Sequence, residues 1–136
     1  MIYITRRERF SAAHRMFRED WSDEENYKVF GKCSNPNWHG HDYVLYVTVR
    51  GEISEGIGYF MNITTLKEII KEKIIDKVDH KNLNVEVGFM QGRIATSENL
   101  AVAIWDELKP AVEKEGVSLH CIKIGETENN TIEYYG

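Results

Sequence analysis

Apolar and polar residues alternate roughly one for one from Ile2 to about Phe10, which predicts a half-buried strand. Ser22-Asp23-Glu24-Glu25 has the form of a capping box, predicting a short helix to about Phe30, closed by Gly31. From Asp42 to Arg50, Tyr43, Leu45, Val47 and Val49 form one face of a second strand, and Val44, Tyr46 and Thr48 form the other. The turn Ser54-Glu55-Gly56-Ile57-Gly58 predicts a hairpin back into a third strand near Tyr59 to Asn62. Ile63, Leu66, Ile69, Ile70 and Ile74 recur at three- and four-residue spacing, an amphipathic helix starting at Asn62 and ending before Val78. A further helix starts with Thr96 or Ser97 as N-cap and carries Leu100, Ala101, Ile104, Trp105 and Leu108 before Pro110. Leu119 to Gly125 and Thr131 to Tyr135 read as strands around the polar turn Glu126-Thr127-Glu128-Asn129-Asn130. The fold class is α+β: an antiparallel sheet with two helices packed on one face. The loop between those helices is long, and such loops in compact domains are often functional.

Composition narrows the function. With 136 residues, two prolines and no low-complexity run, the chain reads as one domain over residues 1–136. Seventeen basic against 22 acidic residues argue against nucleic acid and membrane surfaces as partners, though not against a small anion. No stretch approaches the ~20 apolar residues of a membrane helix, and Arg6 and Arg7 fall where a signal peptide needs apolar residues. A cytoplasmic protein is the expectation. Charge is uneven: residues 1–18 hold five arginines against one glutamate, a local +4 that suits an anion or a solvated strand edge. Two cysteines, Cys33 and Cys121, are too few for a disulfide framework and read as free thiols.

His39-Gly40-His41 is the sharpest local feature. In an extended chain residues two apart share a face, so both imidazoles can meet one metal ion. His14, at the end of the first strand, is the natural third donor if the first two strands pair antiparallel, and three nitrogens leave tetrahedral Zn²⁺ one open position. Cys33 lies in a Gly/Asn/Pro-containing loop just before the motif, as a base, a nucleophile or a fourth zinc ligand. Cys121 and His120 fall in a strand and read as structural. Adjacent Asp79 and His80 side chains usually diverge, which favours a capping or salt-bridge role. Taken from the residues alone, Glu126 is no more special than Glu128.

Five separated stretches, in order over nearly the whole chain, change that picture. Phe10-Ser11-Ala12-Ala13-His14, Phe30-Gly31-Lys32-Cys33 through His39-Gly40-His41, Val78-Asp79-His80-Lys81-Asn82-Leu83, Thr96-Ser97-Glu98-Asn99-Leu100 and Gly125-Glu126-Thr127-Glu128-Asn129-Asn130 resemble the 6-pyruvoyl tetrahydropterin synthase family. Five residues separate Cys33 from His39, as in the pyruvoyl-forming branch, whereas the sister 6-carboxytetrahydropterin synthases of queuosine biosynthesis typically have three. The resemblance implies a tunnelling fold (T-fold) whose sheets assemble into an oligomeric barrel, commonly a homohexamer built as a dimer of trimers. It implies zinc on His14, His39 and His41, with Cys33 as catalytic base. Asp79 and His80 then complete an acid/base relay, often across a subunit boundary. Glu126 anchors the pterin ring, with the hydroxyl pair Thr96 and Ser97 beside the substrate. The implied substrate is 7,8-dihydroneopterin triphosphate, which loses triphosphate to give 6-pyruvoyl tetrahydropterin, and the arginines of the first strand become candidates for its phosphates. A magnesium ion with the triphosphate stays open. A 6-carboxytetrahydropterin synthase is the alternative within the family, and a non-catalytic zinc or pterin-binding module the alternative outside it.

Overall fold

The computed structural model describes residues 1–136. Strand β1 (Ile2–His14) pairs antiparallel with β2 (His39–Gly51), β2 with β4 (Ser118–Thr127), and β4 with β5 (Asn130–Tyr134). A two-residue strand β3 (Lys81–Asn82) adds to the far edge of β1 in parallel, giving the order β3-β1-β2-β4-β5. Helices α2 (Ile63–Ile70) and α4 (Ser97–Glu113) cover one sheet face. The core lies between them, with Phe10, Tyr43, Leu45, Val47, Ile122 and Ile124 from the strands and Leu66, Ile70, Leu100, Ile104 and Leu108 from the helices. No helix is long and apolar enough to cross a membrane.

The predicted caps are present. Ser22 accepts from Glu25 N at the start of α1 (Asp23–Phe30), and Thr96 from Asn99 N; Asn62, predicted as the start of its helix, is the cap of α2 and accepts from Thr64 N. The predicted third strand is not. The turn after Gly51 brings Ser54 N to the carbonyl of Tyr59, but no ladder follows. Phe60 instead lays its ring against Gly51, where a β-carbon would come within 2.5 Å of it, and the chain enters α2 directly. Pro110 does not end α4, which runs on to Glu113. Pro110 and Asp106, whose carbonyl loses its donor, are both exposed, so water can replace the missing bond.

Between Ile70 and Val78 the helix widens into a π turn (Lys71–Ile75) before the short α3 (Asp76–Val78). Leu66, Ile70, Ile74 and Val78 are all buried at strict four-residue spacing. At 3.6 residues per turn such a row drifts about 40° at each step. A wider turn takes up that drift and keeps Val78 in the core, which delivers Asp79 to the edge of β1.

Candidate active site

The β1–β2 register sets His14 opposite His39, and Ala12 opposite His41. All three imidazoles project from the core face at the end of the ribbon, with ring centroids 4.5 to 5.0 Å apart. One nitrogen from each lies within 4.8 Å of the others. Gly40 points to the opposite face, where a β-carbon would press to 3.3 Å on the carbonyl of Ala12. Trp38 enters β2 with φ of 66°, a left-handed conformation that costs a residue with a β-carbon roughly 1 kcal/mol or more.

His14 is fully buried, and its Nδ1 donates to the carbonyl of Ala95 at 2.6 Å. A carbonyl can only accept, so the lone pair is at Nε2. That atom, both ring nitrogens of His39 and Nε2 of His41 are buried without a hydrogen-bond partner. Buried nitrogens without partners are costly, and because one from each of the three rings can meet a common point, the trio is a natural donor set for a metal ion. Burial holds the imidazoles of His14 and His39 below the ordinary histidine value, which keeps them neutral as ligands must be. Cys33 is not part of this cluster, so the donor set is three nitrogens with a position open.

Glu126 stands beside the triad with Oε1 3.5 Å from His41 Nε2, beyond a good hydrogen bond. The shift in register between Gly125 and Thr127 places it in β4 rather than in the predicted turn, and half-buried rather than solvated like Glu128. Its Oε2 accepts from the hydroxyl of Ser97, the first residue of α4. Thr96 Oγ1 is engaged in the helix cap, accepting from Asn99 N at 3.1 Å. Tyr43 closes the floor of the site. Its hydroxyl is raised far above the ordinary tyrosine value by burial and then by the charges of Glu126 and Cys33. Sequence reasoning singled out neither the Ala95 carbonyl nor Tyr43, because a main-chain acceptor and a core aromatic carry no motif.

Cys33 sits in a single 3₁₀ turn (Gly31–Ser34), half-buried, with its carbonyl accepting from Met16 N at 2.8 Å. Asp79 and His80 converge instead of diverging. A φ of 60° at His80 turns its ring back until Nδ1 lies 3.0 Å from Asp79 Oδ1. The same oxygen accepts from Ser11 N at 3.0 Å, the first reason that the Asp79 carboxyl titrates below the usual range, with the His80 contact adding to it. The His80 side chain is 83% exposed and lines a cleft of about 530 Å³ with Ser11, Gly40 and Asp42. Of the triad only His41 borders that cleft, so one chain does not bring His80, Cys33 and the three histidines into one pocket. Nor do the arginines of β1 gather there. Arg6 pairs with Glu8, and alternation along the strand turns Arg7 and Arg9 to the exposed sheet face, opposite His14.

Comparison with known proteins agrees with the fold. The family model described as 6-pyruvoyl tetrahydropterin synthase matches residues 3–136. A 6-pyruvoyl tetrahydrobiopterin synthase of Dictyostelium discoideum is 50% identical over 135 residues, covering 99% of this chain and 96% of the relative. That of Homo sapiens is 47% identical over 133 residues, covering 98% and 90%. The structure of the 6-pyruvoyl tetrahydropterin synthase of Caenorhabditis elegans superposes with a TM-score of 0.92 at 38% identity, covering 99% of this chain and 95% of that one. With half of its residues shared with one such protein and its fold with another, this chain belongs to the 6-pyruvoyl tetrahydropterin synthase family.

Proposed function

We propose that the protein is a zinc-dependent lyase that converts 7,8-dihydroneopterin triphosphate to 6-pyruvoyl tetrahydropterin with elimination of triphosphate. The observation that carries this reading is the convergence of three imidazoles beside a carboxylate, and the names of the relatives support the choice of reaction. His14, His39 and His41 would hold the zinc, which would supply Lewis acidity toward the oxygens of the substrate side chain and so acidify the adjacent C–H. Cys33 removes that proton as a thiolate. His80 exchanges a proton through Nε2, since Nδ1 faces Asp79, which fixes the ring. Glu126 accepts two parallel hydrogen bonds from the pterin amino group and its neighbouring N–H. Ser97 serves the substrate by holding that carboxylate, and Thr96 keeps its hydroxyl proton free for the ligand. No external redox cofactor enters, because the dihydropterin ring is reduced as the side chain is oxidised.

The placement of His80 on a separate cleft supports an active site shared between subunits. Most of β1 has no neighbour on its outer edge, since β3 covers only Ala12 and Ala13, and β5 forms the other open edge of the sheet. Pairing of these edges between copies closes the sheet into a barrel, and a homohexamer of two trimers in the cytoplasm is the assembly we propose. Incubating purified protein with dihydroneopterin triphosphate and identifying the product tests the function. Release of triphosphate with 6-pyruvoyl tetrahydropterin is the expected result, and acetaldehyde with a 6-carboxy pterin overturns it.

A further inference from the structure

We infer that Arg15, gripped by Asn84, is a positioning residue that holds the Cys33 turn against the end of β1, and is not a ligand for the substrate's phosphates. The inference rests on the proposed role of Cys33 as base. The Arg15 side chain is only 12% exposed and is engaged at Nε, at Nη2 and on its guanidinium face. Its Nε donates to the carbonyl of Ser34 at 2.7 Å, Nη2 lies 3.3 Å from the Asp23 carboxylate, and the guanidinium covers the ring of Phe17 at 4.0 Å. The next amide, Met16 N, donates to the carbonyl of Cys33. Two successive carbonyls of the turn, those of Cys33 and Ser34, are therefore both held by the two residues that follow His14.

On its other side the main chain of Arg15 is clamped by one side-chain amide. Arg15 N donates to Asn84 Oδ1 at 2.9 Å, and Asn84 Nδ2 donates to the carbonyl of Arg15 at 2.8 Å. Asn84 is itself fixed by its neighbours, with its own amide on Asn82 Oδ1 and Leu83 N on the carbonyl of Ala13. Direct bonds thus run from β3, next to the Asp79–His80 pair, through the exit of β1 to the thiol-bearing turn. A four-residue 3₁₀ turn packs little of itself into the core, where only Ser34 is buried, so these bonds set its position. Arginine suits the task because its planar group offers an N–H edge to a carbonyl and a face to a ring at once, which an ammonium cannot do.

The test uses the metal-loaded protein with dihydroneopterin triphosphate. Arg15→Gln and Arg15→Lys are both expected to lower kcat by about ten- to a hundredfold, the scale of a misplacement of about 1 Å. KM should stay within a few-fold and metal content should not change. Asn84→Ala should lower kcat in the same direction by less. A large rise in KM in Arg15→Gln that Arg15→Lys restores would show a phosphate ligand and overturn the inference. Unchanged kcat with only a lower melting temperature overturns it too. Should the Arg15 variants not fold, Asn84→Ala decides by the same kcat criterion. Cys33→Ala is measured in parallel: if it keeps turnover, the reading of the base fails. If it loses turnover while the Arg15 and Asn84 variants keep theirs, only the present inference fails.

Discussion

The carbonyl of Ala95 accepts a hydrogen bond from His14 Nδ1 across 81 residues of sequence. One contact fixes the tautomer of the most deeply buried imidazole, aims its lone pair at His39 and His41, and ties the long loop ahead of α4 to the end of β1. Outer-shell acceptors of this kind commonly orient metal-bound histidines and raise their basicity. The contact also gives the loop a task, since it carries an acceptor that β1 and β2 cannot supply themselves.

Removal of one triad member should therefore remove the metal. His39→Ala leaves two nitrogens, too few for tight zinc binding. Elemental analysis of the purified variant should fall from about one zinc per chain to near zero, with turnover lost alongside. His14→Ala should do the same and also melt earlier, because it leaves the Ala95 carbonyl unpaired at a cost of about 1–3 kcal/mol. A His39→Ala protein that still holds stoichiometric zinc contradicts the assignment of ligands.

The thiol is predicted to act on the substrate and not on the metal. Cys33→Ala should retain zinc and bind pterin, since the cysteine lies outside the three-histidine cluster, while kcat falls by at least the ~10²- to 10⁴-fold typical of losing a general base. Metal content and pterin affinity measured on the same preparation separate this outcome from a damaged fold. Loss of zinc in Cys33→Ala would instead make the cysteine a ligand.

Local physics made much of this legible in the sequence. Period-two alternation placed His39 and His41 on one face, the hydroxyl caps at Ser22 and Thr96 marked two of the helices, and the five motifs pointed to the family. The failures were tertiary. A glycine at 51 that lets Phe60 lie across it removed a predicted strand, and an exposed Pro110 let α4 continue. The convergence of Asp79 and His80 depends on a left-handed φ, which histidine adopts more readily than most residues but still in a small minority of cases. Glu126 gained its place from a bulge in β4, and its special character from a serine 29 positions earlier. Such contacts are fixed by register and packing, and neither is written in a local pattern.

Glu126 should govern substrate affinity more than metal affinity. Glu126→Gln keeps the shape and the Ser97 contact but replaces one acceptor with a donor and removes the charge. Hydrogen bonds to a charged group are worth about 1.5–3 kcal/mol, so KM or pterin Kd should rise roughly ten- to a hundredfold, with zinc content unchanged. Isothermal titration with a pterin product analogue reads this directly. Unaltered affinity would assign ring recognition to another residue.

Metal-free protein should lose stability as pH falls below about 6.5. Burial is the main reason that both His14 and His39 sit below the ordinary value of 6.5, outweighing the Ala95 bond at His14 and reinforced by His41 at His39. In the unfolded chain both return to about 6.5. Between the folded and unfolded values the unfolded chain binds more protons, so the free energy of unfolding decreases as pH decreases. Above that window both groups are neutral in both states and contribute no slope. The lowered Asp79 carboxyl acts in the same direction but only as pH falls through the carboxylate range, well below the histidine window. Thermal melts of chelator-treated protein between pH 7.5 and 5.5 isolate the histidines, and the midpoint should change little near pH 7.5 and fall increasingly as pH drops through about 6.5. His39→Ala, lacking one of the two depressed groups, should show a shallower fall, and bound zinc should be released over the same range because protons compete for its ligands. A midpoint that stays level from pH 7.5 to 5.5 in the metal-free protein would mean that the triad can take up protons without cost, and the orphaned nitrogens would then need another explanation.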